Sequence, residues 1–129
     1  MRMSEEQAEN VLTLREAQTL CRAALRLLRN WGLSNDDIQA LMGQLPEASR
    51  LDFENEQQQP NEDMIVRANL LLSIHRQLRV LFADKVQGYQ WVKKPNLTFN
   101  GCSALDVMLR SGVEGIVEVK EYLEAAVSR

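Results

Sequence analysis

Cysteine and histidine are almost missing from this chain of 129 residues, which holds two cysteines, Cys21 and Cys102, and one histidine, His75. Neither cysteine has a second Cys or a His at metal-ligand spacing. A chain of this length builds a core without covalent staples, so both are read as free, reduced thiols. One histidine leaves no room for a His-rich metal site or a multi-histidine catalytic centre, so no metal, no cofactor and no enzymatic activity are expected. No run approaches the roughly 20 apolar residues of a membrane span. The first ten residues are acidic and polar where a signal peptide is basic and then apolar. The expectation is a cytoplasmic protein with no membrane role. Also lacking are alternating β-branched runs of strand character and any internal repeat, which leaves an all-α fold.

A strong excess of one charge is lacking as well. Residues 1–59 carry six Lys/Arg against ten Asp/Glu, a net −4, and residues 60–129 carry nine against eight, a net +1. Neither half has the positive excess of a free-standing nucleic-acid binder. At 45% hydrophobic and 26% charged residues, the composition is that of a folding domain rather than a disordered chain.

What is present is helical periodicity. From about Glu5 to Asn30, Leu14, Ala17, Cys21, Ala24, Leu25 and Leu28 recur at three- and four-residue steps. Arg15, Arg22, Arg26 and Arg29 form a basic stripe on another face. Ser34 caps a short helix from Asn35 to Met42, with Asp36 and Asp37 in its first turn and Gly43 as its stop. Pro46 suits the first turn of a third short helix through about Phe53. The run Glu54 to Asn61 has no apolar residue and marks the boundary between a segment 1–59 and a segment 60–129. Asn61 then caps a central helix on which Met64, Ile65, Ala68, Leu71, Leu72, His75, Leu78, Leu81 and Phe82 form a wide apolar face. Asp84 caps a helix running through Trp91 and Val92 and stopped by Pro95. A non-helical hinge follows, from Asn96 to Cys102. Ser103 and Asp106 have capping-box spacing at the start of Ala104 to Arg110, Gly112 closes that helix, and a last helix spans about Val113 to Val127.

The first three helices have the layout of a helix-turn-helix, a corner that also occurs without any nucleic-acid role. The segment in the recognition position, Pro46 to Glu56, sets Arg50 against four acids, Glu47, Asp52, Glu54 and Glu56. Such a surface meets phosphates unfavourably. The Arg15 to Arg29 stripe reads as a solvated face or a pairing surface for acids, with phosphate contact as the alternative. His75 on an apolar face reads as a core histidine with one satisfied nitrogen. Trp31, Trp91, Tyr89 and Tyr122 adjoin apolar positions and read as packing.

The stretch from Trp91 to Leu109 is the most specific feature: a helix stop, a rigid loop with a glycine at its turn, and a capped restart. Here the chain resembles the Xre/MbcA/ParS family of antitoxins. The elements that carry the resemblance are Trp91-Val92, Pro95-Asn96, Gly101, Ser103-Ala104-Leu105-Asp106 and Gly112. Leu78 to Phe82, Asp84 and Glu121-Tyr122-Leu123 are similar too. Ala104 stands where the family has proline. Arg26 to Gly43 resembles the family's Xre-like N-terminal domain, while the acidic Pro46 to Glu56 departs from that family's basic recognition helix.

The resemblance implies an Xre-like, degenerate helix-turn-helix subdomain packed on a C-terminal helical toxin-binding subdomain. It implies an antitoxin that occludes a RES-domain toxin, an enzyme that consumes NAD or transfers its ADP-ribose. Glu118, Glu121, Tyr122, Glu124 and Arg129 on the last helix and tail are the candidate toxin contacts, with the terminal carboxylate and the Arg129 guanidinium held on a rigid support. Arg22, Arg26 and Arg50 are the candidate DNA contacts. A homodimer is expected. The alternatives are a DNA-binding autorepressor and a dimerisation scaffold without a toxin.

Overall fold

The computed structural model describes residues 12–43 and 60–129. Within them the chain forms six α-helices: α1 (Leu14–Asn30), α2 (Asn35–Met42), α3 (Glu62–Leu81), α4 (Lys85–Lys93), α5 (Ala104–Ser111) and α6 (Val113–Val127), with a short 3-10 turn at Leu97–Phe99. No strand is found among the described residues, and the fold is all-α as expected. The expected helix from Pro46 to Phe53, and Arg50 with it, lie outside the described residues.

One expected boundary is corrected. The apolar spacing suggested a helix running unbroken from about Glu5, but Leu12 and Thr13 are not helical and α1 begins at Leu14. Thr13 is extended, its Oγ1 accepts from the Glu16 amide at 3.1 Å, and its own amide donates to Glu16 Oε1 at 3.3 Å. This capping box satisfies two of the amides that the first turn leaves without partners, and so starts the helix there.

The central position of α3 follows from its length, 20 residues or about 30 Å, and from the stripe Met64, Ala68, Leu71, Ile74 and Leu78, all buried. It packs against α1, α2, α4 and α6. Asn61 caps it, accepting from the Met64 amide at 2.8 Å. One buried cluster holds Leu25, Leu28, Trp31, Leu41 and Met42 from the N-terminal helices together with Met108, Ile116, Val119 and Leu123 from the C-terminal ones. The two segments therefore share a core. Arg67 ties them further: it pairs with Asp63 at 2.9 Å and donates from Nη1 to the Ala40 and Leu41 carbonyls at the end of α2. A cation at a helix C-terminus meets carbonyls that have no helical partner.

The α5–α6 corner allows no slack. Gly112 ends α5 and opens α6 at φ 60°, ψ −135°, a conformation that side chains other than glycine's rarely allow. Gly115 lets α6 cross α5 closely, because a Cβ there would meet the Val107 carbonyl oxygen at 2.3 Å.

Candidate functional site

α6 is two-faced. Gly115, Ile116, Val119 and Leu123 are buried against α3 and α5, while Glu114, Glu118 and Glu121 are exposed on the outside. Three- and four-residue steps keep each set on its own side of the helix. Glu124 is half-buried and paired to Lys120 at 2.7 Å. Arg129 is exposed.

Tyr122 lies in an aromatic cluster. Its ring stacks on Trp91 with centroids 6.1 Å apart and planes 4° apart, and meets Phe99 edge-on at 5.4 Å; Trp91 and Phe99 also meet edge-on at 6.4 Å. Offset and edge-to-face pairs add stabilisation beyond the area they bury. Phe99 is buried, whereas Trp91 and Tyr122 are half-buried. The cluster therefore joins α4, the 3-10 turn and α6.

The loop from Pro95 to Ser103 is closed by its own backbone. Pro95 and Ser103 form an antiparallel bridge, and the Asn96 amide donates to the Cys102 carbonyl at 3.0 Å. The Asn96 carbonyl accepts from the Phe99 and Gly101 amides, both at 3.0 Å, and its side chain accepts from the Thr98 amide at 2.9 Å. Asn100 is left-handed at φ 57° and Gly101 follows at φ 86°. Asn96 and Gly101, picked out in the sequence as motif positions, are thus the loop's hub and its turn. Ser103 and Asp106 make the capping box, with bonds of 3.0 and 3.1 Å, and Leu105 is half-buried beside it. Ala104, at 1% exposure, packs into the core.

Other candidates are scattered. Arg22 is half-buried and Arg26 exposed on α1. His75 is half-buried rather than a core residue, and its Nδ1 is buried with no partner among the described residues. Its ring stacks on Tyr89, centroids 6.3 Å apart. Burial, and then the charges of Arg79, Lys85 and Arg76, lower its pKa below the usual 6.5, favouring the neutral ring. The Asp106 carboxylate is committed to the Ser103 cap. Cys21 and Cys102 are both free thiols. Burial pushes the Cys21 thiol up to about 11, which holds it protonated and unreactive at neutral pH. No group of three His, Cys, Asp or Glu placed to hold a metal occurs among the described residues, and no described helix is long and apolar enough to cross a membrane.

The sequence reading missed two features. Gly115 carried no positional signal, since its need arises only where α5 crosses α6. Leu97, by contrast, is 94% exposed and sits between two residues whose backbones hold the loop. The sequence places both Leu97 and Phe99 in the loop but does not say which of the two is docked.

The described residues thus present one charged helix face and one loop closed by its own hydrogen bonds on a helical core. Residues 77–126 match the family described as the antitoxin Xre/MbcA/ParS C-terminal toxin-binding domain. The chain is 34% identical over 103 residues to uncharacterized protein y4oB of Sinorhizobium fredii (strain NBRC 101917 / NGR234), covering 80% of each chain. No solved structure matches. The chain belongs to the Xre/MbcA/ParS antitoxin family through this toxin-binding domain, which supports an antitoxin role with a toxin as partner.

Proposed function

We propose that the toxin is a RES-domain enzyme that consumes NAD or transfers its ADP-ribose, and that this chain silences it by covering the cofactor cleft with α6 and the residues that follow. The observation that carries this reading is the outward face of α6 inside the family's toxin-binding segment: Glu118 and Glu121 are exposed and one turn apart, on a helix whose opposite face is locked into the core. Carboxylates carried on a rigid helix make charge-assisted hydrogen bonds to arginines with little backbone ordering cost. Such arginines suit a cleft that binds a dinucleotide's phosphates. Arg129 lies beyond the end of the same helix, and Tyr122 flanks it. Segment 60–129 carries the toxin-binding surface in this reading, and segment 1–59 supports it through the shared core. The assembly is a homodimer carrying toxin.

Co-expression with a RES-domain protein from the neighbouring reading frame tests the proposal. Restored growth and a co-purifying complex are expected, and a chain that does neither ends the reading. Reversal of charge in a Glu118→Lys, Glu121→Lys double variant is expected to weaken the complex at least ~tenfold with the melting temperature unchanged.

A further inference from the structure

Leu97 is the most exposed large apolar side chain among the described residues, at 94%, ahead of Val80 at 68% and Val86 at 55%. A lone surface leucine is ordinary. This one differs in what holds it. Its own carbonyl accepts from the Asn100 amide at 3.1 Å, and the amides of Thr98, Phe99, Gly101 and Cys102 are all bonded inside the loop. Phe99, two residues on, is only 6% exposed and packs edge-on against Tyr122 of α6. The loop is therefore fixed to the helix proposed to face the toxin, at a position one turn from Glu118 on the same side. The backbone and Phe99 hold the loop without help from Leu97, whose isobutyl group is presented to solvent on a support that has lost its conformational freedom. That is the arrangement of a binding anchor, in which apolar area is gained on association and little ordering entropy is lost.

We infer that Leu97 is an anchor residue of the toxin complex, inserting into an apolar socket on the toxin beside the contact made by α6. The inference rests on the toxin-binding reading above and adds to it an apolar contact that the acidic helix does not supply. Leu97→Ala and Leu97→Asp variants of the full chain, with the wild type in parallel, are titrated against the purified RES-domain toxin by calorimetry. Melting temperature and self-association are measured on the same samples. The expected result is binding by the wild type, at least ~tenfold weaker binding for Leu97→Ala, a larger loss for Leu97→Asp, and unchanged melting. Tight binding by the wild type with both variants equal to it overturns the anchor and leaves the antitoxin reading standing. A change in self-association with toxin affinity untouched overturns it in favour of a contact between copies. Failure of the wild type to bind overturns both readings.

Discussion

The α5–α6 corner and the loop from Pro95 to Ser103 both reverse the chain within the toxin-binding segment, and both are rigid, yet they put that rigidity to different uses. In the corner, Gly112 and Gly115 exist so that two helices can touch, and the constraint is met by neighbouring backbone. In the loop, Asn96, Asn100 and Gly101 satisfy the backbone locally, one aromatic side chain is enough to dock it, and a leucine remains outside. Rigidity used to close a core leaves an inert surface, whereas rigidity used to hold a side chain in water makes a surface ready to bind. The corner predicts effects on stability alone. The loop predicts effects that separate into stability and binding.

Breaking the corner has the largest expected effect. Gly115→Ala places a Cβ against the Val107 carbonyl oxygen, with Val107 C at 3.0 Å and Met108 Cα at 3.1 Å. Because these are backbone atoms, α6 must shift away from α5. A loss of about 3 kcal/mol or more is expected, read as a lower urea midpoint. A midpoint within about 0.5 kcal/mol of wild type would show that the corner is looser than the loop.

Next comes Phe99→Ala, which removes the loop's attachment to α6. Truncating a buried phenylalanine costs about 3 kcal/mol. Toxin affinity measured well below the melting temperature is expected to fall as well, since Leu97 loses its fixed position. A variant that loses stability but binds as before would make the loop as inert as the corner. Ser103→Ala tests the junction of the two regions. Losing the hydroxyl that caps Asp106 costs about 1 kcal/mol, seen as a drop of a few degrees in melting temperature, with α5 still formed. A drop as large as that of Gly115→Ala would mean that the cap, not the glycine pair, holds the corner.

The smallest effect concerns His75, which lies in neither region and serves as a control on both. Its folded pKa is lowered, so the unfolded chain binds the proton more readily. Stability is then full above the ordinary histidine pKa of about 6.5, falls as pH drops through that value, and levels off below the folded pKa. His75→Gln is expected to flatten this slope below about pH 7, followed by thermal melts, and to leave toxin affinity at pH 7 unaltered. A retained slope would assign the acid sensitivity to other groups.

The helices after Asn61 were legible residue by residue because their signals are local. Asn61, Asp84 and Ser103 each hydrogen-bond an amide two or three residues along, Pro95 acts on the residue before it and Gly112 on its own dihedral angles, so nothing distant decides them. The same kind of local signal was available at Thr13 and Glu16, where the apolar spacing that runs past the cap obscured it. The candidate surface was legible only in part. Periodicity alone set Glu118 and Glu121 opposite the buried face of α6. It had no way to tell that Glu124 is held by Lys120, that Tyr122 is stacked on Trp91, or that His75 sits at the rim with one nitrogen unpaired, because these depend on which helices come together.

By itself, then, the sequence determined where helices begin and end and which side of each is apolar, since those outcomes depend on contacts within about four residues. Tertiary structure alone decided the rest. Gly115 is needed because of a carbonyl contributed by another helix, and Leu97 faces solvent while Phe99, two residues on, packs against Tyr122 of α6. Both are consequences of packing between segments that no short-range pattern encodes.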